Sequence, residues 1–198
     1  MDGPITETAN WVTQYYLTVS SSYGSTTGSG WYDSGAVAHA GLTSGIVSGG
    51  AGTRYLFVSW STGGTDYAES SDITMTGPTT VTASWSVQYY LTVSSPYSTT
   101  SGEGWYNSGA TAYAGVATSI VTDGGGTHTL LGWSGGATGT GILSNPITMN
   151  APVTATAIWS TSGGGGSGPA VYSVTLHGPY YEDGTAAAYE SVYCNLYY

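Results

Sequence analysis

The sequence predicts an all-β protein built from tandem copies of one small domain, and three observations support this. A stretch that begins with Met and ends with Trp occurs at Met1–Trp11, Met75–Trp85 and Met149–Trp159, so the copies lie 74 residues apart. A fixed period with fixed anchor residues is typical of repeat proteins. Within each copy apolar and polar residues alternate, as in a half-buried strand, and the spacing of apolar residues nowhere predicts a helix.

The first predicted element is a strand over residues 1–11, within a segment of residues 1–13 that precedes the first complete repeat. Pro4 stands at its start, where a missing N–H costs least. The segment matches the last strand of a repeat, so we expect it to be an orphan terminal strand that can be donated to another sheet. The residues expected to form this assembly strand are Ile5, Glu7, Ala9 and Trp11.

The first repeat spans residues 14–87 and the second spans residues 88–160. Each opens with the strand sequence Q-Y-Y-L-T-V-S and continues through a turn-rich stretch to G-W-Y-[DN]-S-G. The most apolar strand of the first repeat is predicted at 54–60. About five strands per repeat are enough for a small β domain, and the Trp and Tyr side chains can supply much of its core.

The last part of the chain differs from the two repeats. Residues 161–169 have the Gly/Ser composition of a flexible linker. Residues 170–198 contain V-Y-S-V-T-L, which is similar to the opening strand of the repeats, and we interpret them as a partial β repeat that lacks its last strand. The segment expected to accept a strand comprises Tyr172, Val174, Leu176, Tyr189, Val192 and Tyr193.

Motifs at three places in the repeats carry a resemblance to a known family. Y-x-L-T-V lies near the start, G-W-S near the middle, and P-I-T-M-N-A-P-V-T-A-T-A-I-W at the end of the second repeat. Recurring in register, they resemble the divergent internalin-B-type repeats of secreted and surface-anchored proteins of bacteria and archaea. The resemblance covers both complete repeats. It implies a compact β-grasp-like module without a catalytic site, used as a stalk, adhesin or surface building block.

The composition argues against several classes of partner. The chain carries one Arg, no Lys and eleven carboxylates, for a formal net charge of −10. It therefore lacks the groups that neutralise phosphates, and neither nucleic acid nor an anionic membrane is an expected partner. No apolar run is long enough to span a bilayer. The low charge and the abundance of Gly, Ser, Thr and Tyr predict an extracellular, cell-surface location.

A single cysteine, Cys194, excludes an internal disulfide. It can pair with another chain or remain a free thiol.

Few residues suggest chemistry, and we expect neither an enzyme nor a cofactor. Asp66, Glu69 and Asp72 cluster in one loop of the first repeat and at its edge. They are a weak calcium candidate, because a hard cation prefers oxygen ligands, but the matching loop of the second repeat has no acids and a solvated acidic loop explains them as well. His39 is expected to correspond to Tyr113 in the other repeat, and His128 to Arg54, which argues against a metal site.

The aromatic residues beside the glycines of G-W-Y-[DN]-S-G have two interpretations. They are Trp31, Tyr32, Trp105 and Tyr106. Exposed aromatics can stack on sugar rings, which makes glycans an alternative partner. We favour the other interpretation, in which these side chains fill the end of each small core.

The chain therefore begins with a terminal strand without a repeat and ends with a repeat without a terminal strand. We expect residues 1–11 of one subunit to complete the sheet begun by residues 170–198 of the next, by β-strand addition. Such a head-to-tail contact propagates into a filament, sheath or surface layer of identical subunits. The alternative is that the sequence is a window from a longer array that serves as an adhesin, stalk or carbohydrate-binding module.

Overall fold

The computed structural model describes residues 3–163, and within this range the protein is all-β without a helix. The strands are β1 (Gln14–Ser20), β2 (Thr26–Thr27), β3 (Gly30–Asp33), β4 (Val37–Ala38), β5 (Gly41–Leu42), β6 (Ile46–Ser48), β7 (Thr53–Trp60), β8 (Ile73–Thr74), β9 (Thr79–Ser94), β10 (Thr100–Ser101), β11 (Gly104–Asn107), β12 (Thr111–Ala112), β13 (Gly115–Val116), β14 (Ile120–Asp123), β15 (Gly126–Gly135), β16 (Ile147–Thr148) and β17 (Val153–Gly163). The longer strands form one nine-stranded mixed sheet, and the short ones form two-stranded sheets beside it.

The first half of the sheet is arranged around β1. This strand pairs antiparallel with β3 on one side and parallel with the first part of β9 on the other. β9 in turn pairs antiparallel with β7, and β7 pairs with β6. Leu17 and Val19 point into the core while Thr18 is exposed, as the period of two in Q-Y-Y-L-T-V-S predicts.

The second half repeats this arrangement around the second part of β9. That part pairs antiparallel with β11 and parallel with β17, and β17 pairs with β15, which pairs with β14. Leu17 is paired with Thr79 in the first half and Leu91 with Val153 in the second. β9 is therefore the last strand of the first half and the opening strand of the second, and the boundary expected between residues 87 and 88 lies inside it.

Each half has its own hydrophobic core. The core of the first half contains Leu17, Val19, Ala38, Ala40, Leu42, Trp60, Ile73, Met75, Val81 and Ala83. The core of the second half contains Leu91, Val93, Ala112, Ala114, Val116, Leu130, Trp133, Ala137, Ile147, Met149, Ala155 and Ala157. The anchors that define the repeat in the sequence are thus core residues, and Met75 and Met149 are both fully buried.

Tryptophan indoles are tied to the loops by hydrogen bonds at equivalent places in the two halves. Trp85 Nε1 donates to Ser21 Oγ at 3.0 Å, and Trp159 Nε1 donates to Ser95 Oγ at 3.1 Å. Buried indole N–H groups generally find a hydrogen-bond partner, and here the partner fixes the loop after each opening strand.

The two sequence ends depart from the expectations. The strand predicted over residues 1–11 is not formed: residues 3–13 are irregular and exposed, and the first strand begins at Gln14. An extended segment needs a neighbouring strand to satisfy its backbone N–H and C=O groups, and no described strand pairs with it. At the other end β17 continues to Gly163, so the segment expected to be a linker begins inside a strand.

The register of β15 corrects one correspondence drawn from the sequence. Tyr55 is paired with Val87, and His128 is paired with Thr161, which lies one repeat length after Val87. His128 is therefore the equivalent of Tyr55 and not of Arg54. The cause is a shorter turn between β14 and β15 than between β6 and β7. The difference in length thus lies in a loop.

Candidate functional site

Residues 3–13 form an exposed segment that has the sequence of a core strand. Trp11 is 92% exposed, and Ile5 and Val12 also face solvent. One repeat length later, Trp85 packs against the core of the first half. Ala9 and Trp11 are therefore exposed, although their counterparts Ala83 and Trp85 are covered.

Glu7 is the exception within this segment. Its counterparts are Val81 and Ala155, both of which are completely buried. A carboxylate at such a position is costly without a partner, because burial disfavours the charged form.

Directly after the exposed segment, Tyr16 and Trp31 form a T-shaped pair with ring centroids 5.2 Å apart. Trp31 is 66% exposed and Tyr16 is also open to solvent. The equivalent pair in the second half, Tyr90 and Trp105, has almost the same geometry, with centroids 5.1 Å apart. Trp105, however, is partly covered.

The cover over Trp105 comes from the first half of the protein. Arg54, near the start of β7, places its guanidinium carbon 4.4 Å from the centroid of the Trp105 ring, in a cation–π contact. Its Nε donates to Gln88 Oε1 at 2.8 Å, and the Gln88 amide donates to Asn107 Oδ1 at 2.8 Å. The backbone of Tyr90 is held at the same junction, where its N–H donates to the carbonyl of Gly52 at 2.9 Å.

The same polar pair exists beside Trp31. Gln14 Nε2 donates to Asp33 Oδ1 at 2.8 Å, as Gln88 donates to Asn107. Here a carboxylate replaces the amide of Asn107. We name the surface formed by Gln14, Tyr16, Trp31 and Asp33 the Trp31 face.

The structure separates the four residues considered for sugar stacking. The Tyr32 and Tyr106 hydroxyls donate to the carbonyls of Gly28 and Gly102, and both rings pack against a core. Trp105 is covered by Arg54. Trp31 is the member of the set that presents a largely free ring to solvent.

The acidic residues considered for calcium do not converge on one point. Asp66 Oδ1 accepts a hydrogen bond from the N–H of Ala68 at 2.9 Å. Glu69 and Asp72 lie on two sides of His39, with oxygens 3.5 Å and 3.8 Å from its ring nitrogens. Within residues 3–163, no group of three His, Cys, Asp or Glu side chains could hold a metal ion, so the geometry does not support the calcium candidate.

His128 is buried in a network at the end of the second half. Its Nδ1 lies 2.9 Å from Thr161 Oγ1, its Nε2 lies 3.1 Å from Asp123 Oδ1, and its ring stacks on Tyr97 at 3.7 Å. The pKa of Asp123 is lowered, first by the hydrogen bond from the N–H of Gly125 and then by the one from His128. In the first half Tyr23 stacks on Tyr55 in the same way, so the position serves packing in both halves.

Several expected site residues lie outside the described residues. These are the acceptor residues Tyr172, Val174, Leu176, Tyr189, Val192 and Tyr193, and the candidate intermolecular cysteine Cys194. Sequence reasoning missed Arg54, Gln88 and Asp33. One signal was available for Arg54, because it is the only Arg or Lys in the sequence.

The chain matches no protein-family model, no curated protein and no solved structure. The resemblance to internalin-B-type repeats thus rests on the motifs alone. In the part of the chain that the structure describes, no helix is long and apolar enough to cross a membrane.

Proposed function

We propose that this protein is a non-catalytic structural subunit of an extracellular filament, sheath or surface layer, built from two tandem β-grasp-like modules with a period of 74 residues. Subunits polymerise head to tail when residues 1–11 of one add as a strand to residues 170–198 of the next. Strand addition gives affinity through backbone hydrogen bonds and specificity through alternate side chains.

The observation that carries the proposal is the contrast between residues 3–13 and their counterparts. The first part of β9 and the corresponding part of β17 lie inside the sheet, with a parallel strand on one side and an antiparallel strand on the other. Residues 3–13 repeat that strand sequence and have no such neighbours among the described strands. Exposed apolar residues on an unpaired segment are a typical feature of an interaction site.

The internal pairing supplies the register for the added strand. Leu17 pairs with Thr79 and Leu91 with Val153, so Ile5 is expected beside the matching residue of an opening strand. By the similarity of V-Y-S-V-T-L to Q-Y-Y-L-T-V, that residue is Val174. Ala9 and Trp11 then lie on the face that β9 buries with Ala83 and Trp85.

The composition is consistent with an extracellular polymer. With one Arg and no Lys, the chain offers almost no cleavage site to trypsin-like proteases. Its net charge of −10 opposes lateral contact only weakly once salt screens it.

The test is assembly of the full chain, followed by electron microscopy and sedimentation under reducing conditions, so that Cys194 cannot link subunits covalently. We expect ordered fibres from the wild type and monomers from a variant that lacks residues 1–11. The matched control is Thr6→Val, because its counterparts Thr80 and Thr154 are exposed and the change should leave assembly intact. Equal assembly with and without residues 1–11 contradicts the proposal.

A second candidate is a stalk or adhesin module within a longer repeat array. The continuous strand β9 favours it, because it shows that one module can pass directly into the next without a linker. In that case residues 3–13 are the last strand of a preceding module. Monodisperse particles of the full chain at every concentration would favour this candidate, and a glycan array would test its carbohydrate-binding form through Trp31.

A further inference from the structure

The Trp31 face has an equivalent in the second half of the molecule, and there an arginine covers it. In the second half, Trp105 and Gln88 receive the guanidinium of Arg54. In the first half, Trp31 and Gln14 occupy the equivalent positions. We propose that the Trp31 face is the docking site for a guanidinium-bearing β-strand of a like module, with its arginine at the position of Arg54.

The backbone register supports a strand as the occupant. Thr53 to Trp60 run antiparallel to Tyr89 to Ala83, with Arg54 opposite Gln88. Residues 15 to 9 lie one repeat length before Tyr89 to Ala83. A strand that pairs with them in the same register places its arginine opposite Gln14. Among the described strands, β1 pairs with β9 only from Leu17 onward. The edge of Gln14 and Tyr15 that faces away from β3 is therefore open to a strand.

Charge complementarity favours an arginine at this face more than at the internal junction. Asp33 stands where the second half has Asn107, and its Oδ1 is held by Gln14. A carboxylate beside the ring adds attraction for a cation that an amide lacks. Arginine suits such a site because its planar guanidinium stacks on aromatic rings while its N–H groups donate to nearby oxygens.

The arginine cannot come from an identical subunit. Arg54 is the only Arg or Lys in the sequence and is engaged at Trp105. The equivalent residue at the far end of the second half is Thr127, opposite Ser162. The Trp31 face therefore selects a non-identical module, either on another polypeptide or earlier on a longer one, over a second copy of this chain. It fits the second candidate function, a module within a longer array, rather than a polymer of identical subunits.

The inference shares strand pairing along residues 9–15 with the second candidate function and adds a cation site at Trp31. Two probes separate the strand from the cation. The first probe is N-acetyl-arginine amide, titrated into the full chain while the indole N–H signals of the tryptophans are followed by NMR. The Trp31 signal is assigned with Trp31→Phe. We expect Trp31 to respond and the covered Trp105 to stay unchanged. Asp33→Asn should weaken the Trp31 response about two- to fivefold, as for an exposed ion pair.

The internal junction supplies the matched control. Arg54→Gln removes the guanidinium from Trp105, and this variant should make Trp105 respond to N-acetyl-arginine amide as Trp31 does. N-acetyl-citrulline amide, which has a similar shape without the charge, should move neither signal. An equal response to citrulline, or a Trp31 response to chitin and cellulose oligosaccharides but not to arginine, overturns the proposal.

The second probe is a peptide with the sequence of residues Thr53–Trp60. It should bind the full chain at least tenfold more tightly than the arginine derivative, because it also pairs with residues 9–15. A variant that lacks residues 1–11 should lose this gain and keep the response to N-acetyl-arginine amide. If the cation binds and the peptide gains nothing, strand pairing at this face is refuted while the cation site stands. If neither probe binds, the whole inference fails, whatever the outcome of the assembly experiment.

Discussion

Glu7 is the position at which assembly should be most sensitive to a single substitution. In the proposed strand addition it takes the place of Val81 and Ala155, which are both 0% exposed. The buried residues of the first core, to which Val81 belongs, are all hydrophobic, and none of them carries a positive charge. Glu7→Val therefore restores the side chain that this position has in the first repeat, and we expect it to strengthen assembly.

The size of the effect follows from two contributions. Burying a valine side chain stabilises by about 1.5–3 kcal/mol, and removing an uncompensated buried charge by about 3–5 kcal/mol. The lower ends of these ranges together correspond to roughly a thousandfold in Kd. Water that reaches the end of the strand reduces the charge contribution, so we expect a gain of at least about a hundredfold.

The assay is the critical concentration for assembly of the full chain, measured by sedimentation at pH 7. Glu7→Val should lower it at pH 7, and Glu7→Gln should lower it less, because it removes the charge and keeps a polar group. Thr6→Val, on the opposite face, should have little effect. If Glu7→Val behaves like Thr6→Val, residues 1–11 do not enter a core of the β9 type and the reasoning is wrong.

Three further predictions concern stability. Gly102 has a φ of +85° and a Cβ there would meet the carbonyl oxygen of Tyr113, whereas Gly109 has a φ of +81° and open space around it. Gly102→Ala should therefore lower the free energy of unfolding, measured with urea, by about 3 kcal/mol or more, and Gly109→Ala by about 1 kcal/mol. Equal losses would show that the close contact is unimportant. The lowered pKa of Asp123 gives stability that is present above its ordinary pKa of 3.8 and lost as pH falls through the folded-state value. The free energy of unfolding of the wild type should therefore exceed that of Asp123→Asn at pH 6, and this difference should shrink toward pH 2. A difference that stays constant with pH would contradict the prediction. Met75→Ala and Met149→Ala should each lower the free energy of unfolding by about 2–5 kcal/mol. Each should increase amide hydrogen exchange mainly in its own half, and an equal increase in both halves would refute two separate cores.

The strands that the sequence predicts best are those in which alternation and burial coincide. The apolar run at 54–60 is β7 with one added residue, and the anchors Met75 and Met149 are core residues, because a period of two places alternate side chains on one face of a sheet. Alternation does not identify the partner of a strand. The parallel pairing of β1 with β9 and the continuity of β9 through residues 87 and 88 depend on tertiary packing.

The strand predicted at residues 1–11 illustrates a different limit. Its side chains have the pattern of a strand, but a strand is a relation between two segments, and no described strand pairs with residues 3–11. The register error at His128 has a local cause. A one-residue deletion in the β14–β15 turn shifts the alignment by one position, which moves a side chain to the other face of the sheet.

The cation site at Trp105 could not be predicted because it joins residues 51 positions apart, Arg54 and Trp105, across two repeats. Alignment of the repeats compares each residue with its counterpart and says nothing about contacts between one repeat and the next. Arg54 was visible in the sequence as the sole basic residue besides the histidines. Its contact with Trp105 depends on the pairing of β7 with the second part of β9.

The continuous strand β9 determines how a pull on the polypeptide is resisted. β1 and β9 run parallel, so the chain enters the first half at one end of this pair and leaves along β9 at the other. Tension then acts along the strands, and the hydrogen bonds that join them are strained together rather than opened one after another. The same geometry recurs where β9 meets β17. Because no linker separates the two pairs, tension passes from one half to the other directly along the backbone of β9.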